Sequence, residues 1–305
     1  MAKLYHPPRY NISMTCPLIS IVTVASPHRT RSLIRLINSV YQSTYKNFEI
    51  IVVDNSLNPH LASTIKTRFP KITFIIMPQN TGMLGFNIGY INAQGKYILS
   101  LDDDSGIRKH TLQKIVTCFQ NQPSKTAVLS LTRFNPLTNS FYAEAQTNQR
   151  KAHILNFSTG ACVFRKKAFK KIGYYDQDFF CWIHEDDFGL RTLNQNLSIS
   201  FQKDIVVDHF EKPSATLRKN LIILSARNKV WLNLKHFSAK FIPLLIARDL
   251  IWILLLPLRR RSIKALFYGL SGYLSGWLNP FPALKKRQVV NPKLQKIFLK
   301  QYLLQ

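Results

Sequence analysis

The sequence predicts an α/β protein with one mostly parallel, doubly wound sheet, followed by a helical, membrane-associating C-terminal appendage. Three observations predict it. Short β-branched runs alternate with segments of helical spacing from Leu18 onward, joined by short connections. Polar and acidic residues collect at the carboxyl ends of those runs, where open α/β sheets bind their ligands. Past Pro213 the pattern changes to long apolar stretches between basic clusters.

Taken in order, residues 1–16 read as an irregular polar arm. Leu18–Val24 is a buried strand, and Ser32–Ser43 repeats Leu33, Leu36, Ile37 and Val40 at helical spacing. Phe48–Val53 is a second strand ending at Asp54-Asn55-Ser56, and Ile72–Met77 is a third. A small-residue helix from about Gly85 to Ala93 leads to the strand Lys96–Leu101, then to Asp102-Asp103-Asp104. From Ala127 a strand loosens into a polar stretch reaching about Ala152. A denser block over 154–191 then closes with Val206-Val207-Asp208-His209. Helical spacing returns over Leu217–Phe237, followed by an apolar run, Phe241–Leu258, and a Gly/Tyr/Trp segment, Leu266–Leu278.

Composition narrows the function classes. A hydrophobic content of 46% in 305 residues excludes a disordered chain. The net charge of +27 admits nucleic acid or anionic lipid as a partner. Residues 213–305 hold 17 of the 42 Lys and Arg but one of the 15 acids, Asp249, so basic charge is densest where the chain is most apolar. No zinc-ligand spacing or RNP-type strand is present, which argues against nucleic acid and for a membrane surface. The four cysteines form no CxxC pair and read as reduced, mostly buried cytosolic thiols. No apolar run precedes Pro17, so no signal peptide is expected.

Three acids after an apolar strand repel one another unless a cation neutralises them. Mg²⁺ or Mn²⁺ takes one or two carboxylates and completes its shell with phosphate and water. The plainer alternative is a solvated turn in which Asp104-Ser105-Gly106 caps a helix. Asp54 can accept hydrogen bonds from a base or ribose, or act as an N-cap. Asn80-Thr81-Gly82 and Gly85–Gly89 make a close-approach loop suited to a nucleotide, unlike a dinucleotide or Walker loop. Glu185-Asp186-Asp187 can supply a carboxylate general base. It can also be a charged helix start, with Arg191 pairing to Asp187 at i,i+4. His209, ending a Val-Val strand, is a core residue or a metal ligand.

These residues together resemble family-two glycosyltransferases of the GT-A fold, of the bacterial rhamnosyl and galactofuranosyl type. The resemblance rests on Ser20–Val24, Ile51–Ser56, Asn80–Gly89, Leu101–Asp104, Ser158–Gly160, Ile172–Asp176, Phe179-Phe180, Glu185–Asp187 with Arg191, and His209. It implies a catalytic domain over 17–212, with a nucleotide-sugar half (17–104) and an acceptor half (105–212), followed by the appendage at 213–305. Thr23, Ala25 and Asp54 would hold the donor's base and ribose, and Asn80, Gly82 and Asn87 would line its pocket, with Asp102 and Arg191 also on the donor. Asp104, Asp102 and His209 would bind Mn²⁺ or Mg²⁺, leaving Asp103 dispensable. Matching the Glu-Asp pair makes Asp186 the base, whereas counting back from Arg191 makes it Glu185; Asp186 is favoured. No QxxRW signature follows His209, so transfer of one or a few sugars is expected rather than polymerisation.

The expected partners are a nucleotide-sugar donor, a lipid-linked or surface-glycan acceptor, and an anionic membrane surface met through residues 240–290. The setting is the cytoplasmic, inner face of the plasma membrane. A charge at bilayer mid-depth costs roughly 2.5–3.5 kcal/mol, so Arg248-Asp249 argues for an interfacial or re-entrant Phe241–Leu258 over a spanning one. A hairpin buried on the catalytic domain, or in a homodimer, is the plain alternative. Two other classes compete. A sugar nucleotidylyltransferase needs glycines that Ala25–Arg29 lacks, and a non-catalytic basic binder on a degenerate transferase fold would tolerate loss of the acids.

Overall fold

The computed structural model describes residues 16–142, 157–211 and 218–303. The predicted N-terminal arm lies outside them, as does most of the polar stretch before residue 157. Four parallel strands open the sheet: β1 (Ile19–Ala25), β2 (Phe48–Asp54), β3 (Thr73–Ile76) and β4 (Tyr97–Asp102). Helices α1 (Thr30–Tyr41), α2 (Leu61–Arg68) and α3 (Leu84–Asn92) connect them. Every residue of β1 is buried, because helices cover both faces of a parallel sheet. The apolar stripe of α1 (Leu33, Leu36, Ile37, Val40) is the face it buries.

Beyond β4 the sheet becomes mixed. Strands β5 (Ser105–Ile107), β6 (Thr126–Asn135), β7 (Ser140–Phe141), β8 (Ala161–Arg165) and β9 (Ser198–His209) give the order β3-β2-β1-β4-β8-β6-β9-β5, with β7 beside β6. Helix α4 (Thr111–Asn121) follows β5, while α5 (Phe169–Ile172) and α6 (His184–Asn194) lie between β8 and β9. Only Asp103 and Asp104 separate β4 from β5 in the chain, yet β8, β6 and β9 lie between them in the sheet. The sheet therefore curls until its far edge meets the carboxyl end of β4. Two registers then fix the centre of the molecule: Leu101 pairs with Ala161, bringing Gly160 beside Asp102, and Ser105 pairs with His209.

Six helices complete the chain: α7 (Lys219–His236), α8 (Ile242–Leu254), α9 (Leu256–Arg260), α10 (Lys264–Leu278), α11 (Phe281–Lys285) and α12 (Pro292–Leu303). The predicted 241–258 run is interrupted at Leu255, between α8 and the Pro257-containing α9. The stretch Ala239–Arg260 is long and apolar enough to cross a membrane by length and composition alone. Asp249 does not interrupt its outer face. It is 1% exposed and turns inward, accepting from Asn233 Nδ2 at 2.7 Å and pairing with Arg248 at 2.5 Å. Helix α10 rests on α7 through Gly272 and Gly276, where an added Cβ would strike the backbone oxygens of Ile223 and Arg227. Of the four free thiols, Cys162 is buried, Cys118 and Cys181 are half-buried and Cys16 is exposed, a wetter set than expected.

Candidate active site

A cavity of about 670 Å³ opens where the sheet closes on itself, and it is lined by Asp102, Asp104, Glu185, Asp186 and His209 among others. Five predicted site residues, drawn from β4, β9, α6 and the β4–β5 connection, thus share one space.

The acidic triplet divides into three roles. Asp102 is the most exposed, its side chain 35% accessible, and its Oδ2 lies 3.4 Å from His209 Nε2. Asp104 Oδ1 stands 3.1 Å from the same nitrogen but is buried and receives no well-directed hydrogen bond. Asp103, expected to be dispensable, is instead 2% exposed and points away, accepting from the Ser26 backbone N–H (2.6 Å) and from Arg29 (2.9 Å). The chain turns at 103–104 between β4 and β5, which sends the Asp103 side chain to Ser26 and Arg29 while Asp102 and Asp104 face His209. Arg29 also donates to Asp104 Oδ2 at 2.6 Å, bracing both carboxylates.

One ligand atom from each of Asp102, Asp104 and His209 lies within 4.8 Å of the other two. With the undonated Asp104 Oδ1, this set of two carboxylates and an imidazole fits a divalent ion such as Mn²⁺ or Mg²⁺. The imidazole is oriented from behind: Tyr142 Oη is 2.6 Å from Nδ1 and donates to Glu211 Oε2 at 3.3 Å. A hydroxyl committed to Glu211 accepts from Nδ1–H, which orients the ring so that Nε2 faces the carboxylates. Burial opposes protonation of His209, but hydrogen bonding of its Nε2–H to the Asp102 and Asp104 carboxylates overcomes it and pushes the imidazole up to about 9. Burial likewise raises Asp104, and His209 with Arg29 more than reverses it, holding that carboxyl below its usual range.

The second cluster also separates by role. Glu185 accepts from Thr159 Oγ1 (3.0 Å) and pairs with His184 Nε2 (3.1 Å). Asp186 is half-buried on the cavity wall. Asp187 is fully buried and held by Arg191 and His236, so of the three candidate bases it is the one kept out of the cavity. The plain i,i+4 reading of Asp187 and Arg191 is therefore what the structure contains, beside two acids that reach the cavity. The turn entering α6 is strained: Phe180, Trp182 and Ile183 all have φ between 58° and 65°. Asn228 on α7 holds it, its amide donating to the carbonyls of Phe179 (2.9 Å), Cys181 (2.7 Å) and Trp182 (2.9 Å).

The expected donor contacts are less concentrated. Thr23 and Ala25 are buried in β1, and Asp54 is 4% exposed, accepting from the Ser56 N–H at 2.8 Å. Asn80 caps the Gly82 N–H, and Gly82 lies against Phe180 with φ +56°. Asn87 is turned away, its amide exchanging two hydrogen bonds with the Tyr175 backbone. Arg191 is likewise engaged by Asp187 and by the carbonyls of Ile172 and Tyr174, so neither Asn87 nor Arg191 lines the cavity. Sequence reasoning missed Arg29, Thr159, His184 and Asn228. A cation just past a strand end, facing three acids, was the one signal that could have found Arg29.

Comparison with known proteins agrees with this geometry. A profile described as glycosyl transferase family 2 matches residues 22–173. An uncharacterized glycosyltransferase of Haemophilus influenzae is 24% identical over 256 residues, covering 73% of this chain and 79% of its own. Among solved structures, a mannosyltransferase from Pyrobaculum calidifontis in complex with GDP-Man and Mn²⁺ superposes with a TM-score of 0.57 at 15% identity, over 94% of this chain and 85% of that one. GalNAc-T7 with UDP, GalNAc and Mn²⁺ gives 0.59 at 14% identity over 74% of this chain, which spans about half of it (49%). These likenesses establish the GT-A fold.

Proposed function

Because this chain is a member of glycosyltransferase family 2, we propose that it transfers one or a few sugars, with inversion, from a nucleotide-diphosphate donor to a lipid-linked or surface-glycan acceptor. The setting of this reading is cell-envelope glycan assembly at the cytoplasmic face of the membrane. The observation that carries it is the meeting of Asp102, Asp104 and His209 with Glu185 and Asp186 in one cavity.

In this reading Asp102, Asp104 and His209 hold the ion, and Glu211, through Tyr142, keeps the imidazole in its ligating tautomer. When bound, Mn²⁺ or Mg²⁺ supplies positive charge to the departing diphosphate. Asp186 takes the proton of the acceptor hydroxyl as that oxygen forms its bond to the anomeric carbon and the bond to diphosphate breaks. Asp186 suits the role better than its neighbours. Glu185 is engaged by Thr159 and His184, which with its own helix backbone hold its carboxyl below the usual range despite burial. Asp187 is sealed behind Arg191 and His236.

The test is hydrolysis of a panel of UDP-, dTDP- and GDP-sugars with Mn²⁺ present or chelated, the UDP and GDP arms being suggested by the nucleotides in the two structural relatives. Metal-dependent cleavage of one donor, abolished by Asp104→Ala, is the expected outcome. Full retention of cellular function by Asp104→Asn and Asp186→Asn would favour the non-catalytic binder and end the enzymatic reading.

A further inference from the structure

Among the described residues, none packs on the outward face of the appendage. On α8 and α9, Ile251, Leu254 and Leu258 are exposed, and from Ile263 at the N-terminal cap of α10 exposed apolar side chains recur each turn at Phe267, Leu270, Leu274 and Leu278. Leu258 is 77% exposed and Leu278 84%. The inner faces carry Leu245, Asp249, Ile253, Leu256, Ala265, Gly269 and Gly272, so these helices are apolar on both sides. The rows adjoin, since Gly269 of α10 packs on Ile253 and Leu256. An exposed apolar surface of this kind marks an interaction site.

Charge selects its occupant. Arg259, Arg260 and Arg261 are exposed at the α9–α10 tip, with Lys264 one turn on. The sole acid after residue 212 is Asp249, which is buried, so the face presents cations and no carboxylate. A second copy of this chain would set one arginine tip and one cationic face against another in a two-fold contact, which is unfavourable. An anionic bilayer surface offers hydrocarbon to the rows and phosphate to the tip.

We propose that α8, α9 and α10 dock the protein on an anionic lipid surface, with the apolar rows seated at the headgroup boundary and Arg259–Arg261 against lipid phosphates. The placement also orients the cavity. Arg218, at the N-terminal end of α7, lines it. At that same end Lys219 lies 5.6 Å from the Tyr268 ring centre, and Ile222 clusters with Leu256 and Ala265 next to the arginine tip. The cavity rim and the docking tip thus share one end of one helix, which suits an acceptor drawn from the membrane. The docking itself does not rest on the transfer reaction, and its test reads binding rather than turnover.

The experiment is co-sedimentation of the full chain with vesicles of phosphatidylcholine alone and of phosphatidylcholine mixed with phosphatidylglycerol. Binding to the mixed vesicles, weakened by salt, is expected. Replacing all three tip arginines by Gln should reduce it on the order of a hundredfold. Leu254→Asn with Leu258→Asn and Phe267→Asn should abolish it, whereas Ile76→Asn, an exposed apolar residue on β3 away from this face, should not. If the apolar variant misfolds by circular dichroism, the arginine variant still decides. Equal binding to both vesicle types, unchanged binding of the arginine variant, or a solution dimer dissociated by Phe267→Asn would overturn the proposal, the last assigning the face to a second copy.

Discussion

Asp187 on α6 and His236 on α7 meet at 2.8 Å with neither side chain exposed to solvent. The other oxygen of Asp187 takes a two-pronged contact from Arg191 at 2.8 and 2.9 Å, and Lys235 closes on the first at 2.6 Å. Burial alone would raise this carboxyl, but the Arg191 charge and the His236 hydrogen bond hold it well below the usual carboxylate range. One buried anion therefore joins the helix bearing the candidate base to the C-terminal region.

Replacing Asp187 with Asn should be severe. The change leaves Arg191, Lys235 and His236 facing a neutral amide in a dry site, where removing one partner of a buried pair costs about 3–5 kcal/mol. A urea-unfolding midpoint near that of the unmodified protein would refute the joint.

Acid should loosen the same joint. Asp176 is also held low, since Lys235 and Lys286 outweigh its burial. Groups whose folded pKa is depressed stabilise the fold above their unfolded value and lose that contribution as pH falls through the folded one. The contribution of these two carboxylates to melting temperature should be constant above about pH 5 and fall below about pH 4, where unfolded aspartates protonate. Asp187→Asn should show a shallower fall, and identical slopes for the two proteins would count against the assignment.

Gly160 sits under Asp102 so closely that an added Cβ would overlap the carboxylate. Gly160→Ala should displace Asp102 and raise the Mn²⁺ concentration needed for donor hydrolysis by about tenfold or more, in the range seen when a ligand's support is disturbed. Gly106→Ala, whose Cβ would meet the Phe210 ring at 3.4 Å and Ser39 Oγ at 3.8 Å, both ordinary contacts, is the matched control. The two variants should differ in metal titration while melting within a few degrees of each other.

Asn228→Ala removes the donor shared by three loop carbonyls, at about 1–3 kcal/mol for each buried group left unsatisfied. The strained residues Phe180, Trp182 and Ile183 should then relax and carry Asp186 with them. Turnover should fall while donor KM holds. A variant that loses stability yet keeps full turnover would show that the amide supports the fold alone.

The candidate base can be assigned the same way. Asp186→Asn should lower kcat by about 10²–10⁴-fold, the usual contribution of a positioned base. Glu185→Gln, which keeps the shape that Thr159 and His184 contact, should lower it far less. The reverse ranking would move the role to Glu185.

Much of this was legible in the sequence because its cause is local. The β-branched runs of β1, β2 and β4 and the stripe on α1 form elements that their own periodicity dictates, and Asp102 and Asp104 follow a strand end. Other features depend on residues far apart. His209 reaches Asp104 only through the β5–β9 register, which no spacing rule encodes, and Asn228 reaches Trp182 across two elements. Phe180, Trp182 and Ile183 carry no glycine or asparagine to announce their left-handed backbone. Asp103 parts from its identical neighbours because the chain turns at 103–104, which nothing in the triplet itself announces. In sequence Arg248-Asp249 argues for an interfacial or re-entrant segment over a spanning one, whereas in the fold the helix turns Asp249 inward, where Asn233 and Arg248 satisfy it.

The glycine contacts between α10 and α7 set a mechanical property of the whole molecule. With no side chain between them at Gly272 and Gly276, the two backbones lie at minimum separation and leave nothing compressible in the seam. Helix α7 is in turn fastened to the entry of α6 by Asn228 and to α6 itself by His236. The path from the outer rows of α10 to Asp186 therefore crosses packed backbone and buried hydrogen bonds, with no flexible linker along it. On the proposed docking, that stack would hold the cavity at one height above the surface under α10, and so set the reach that an acceptor needs.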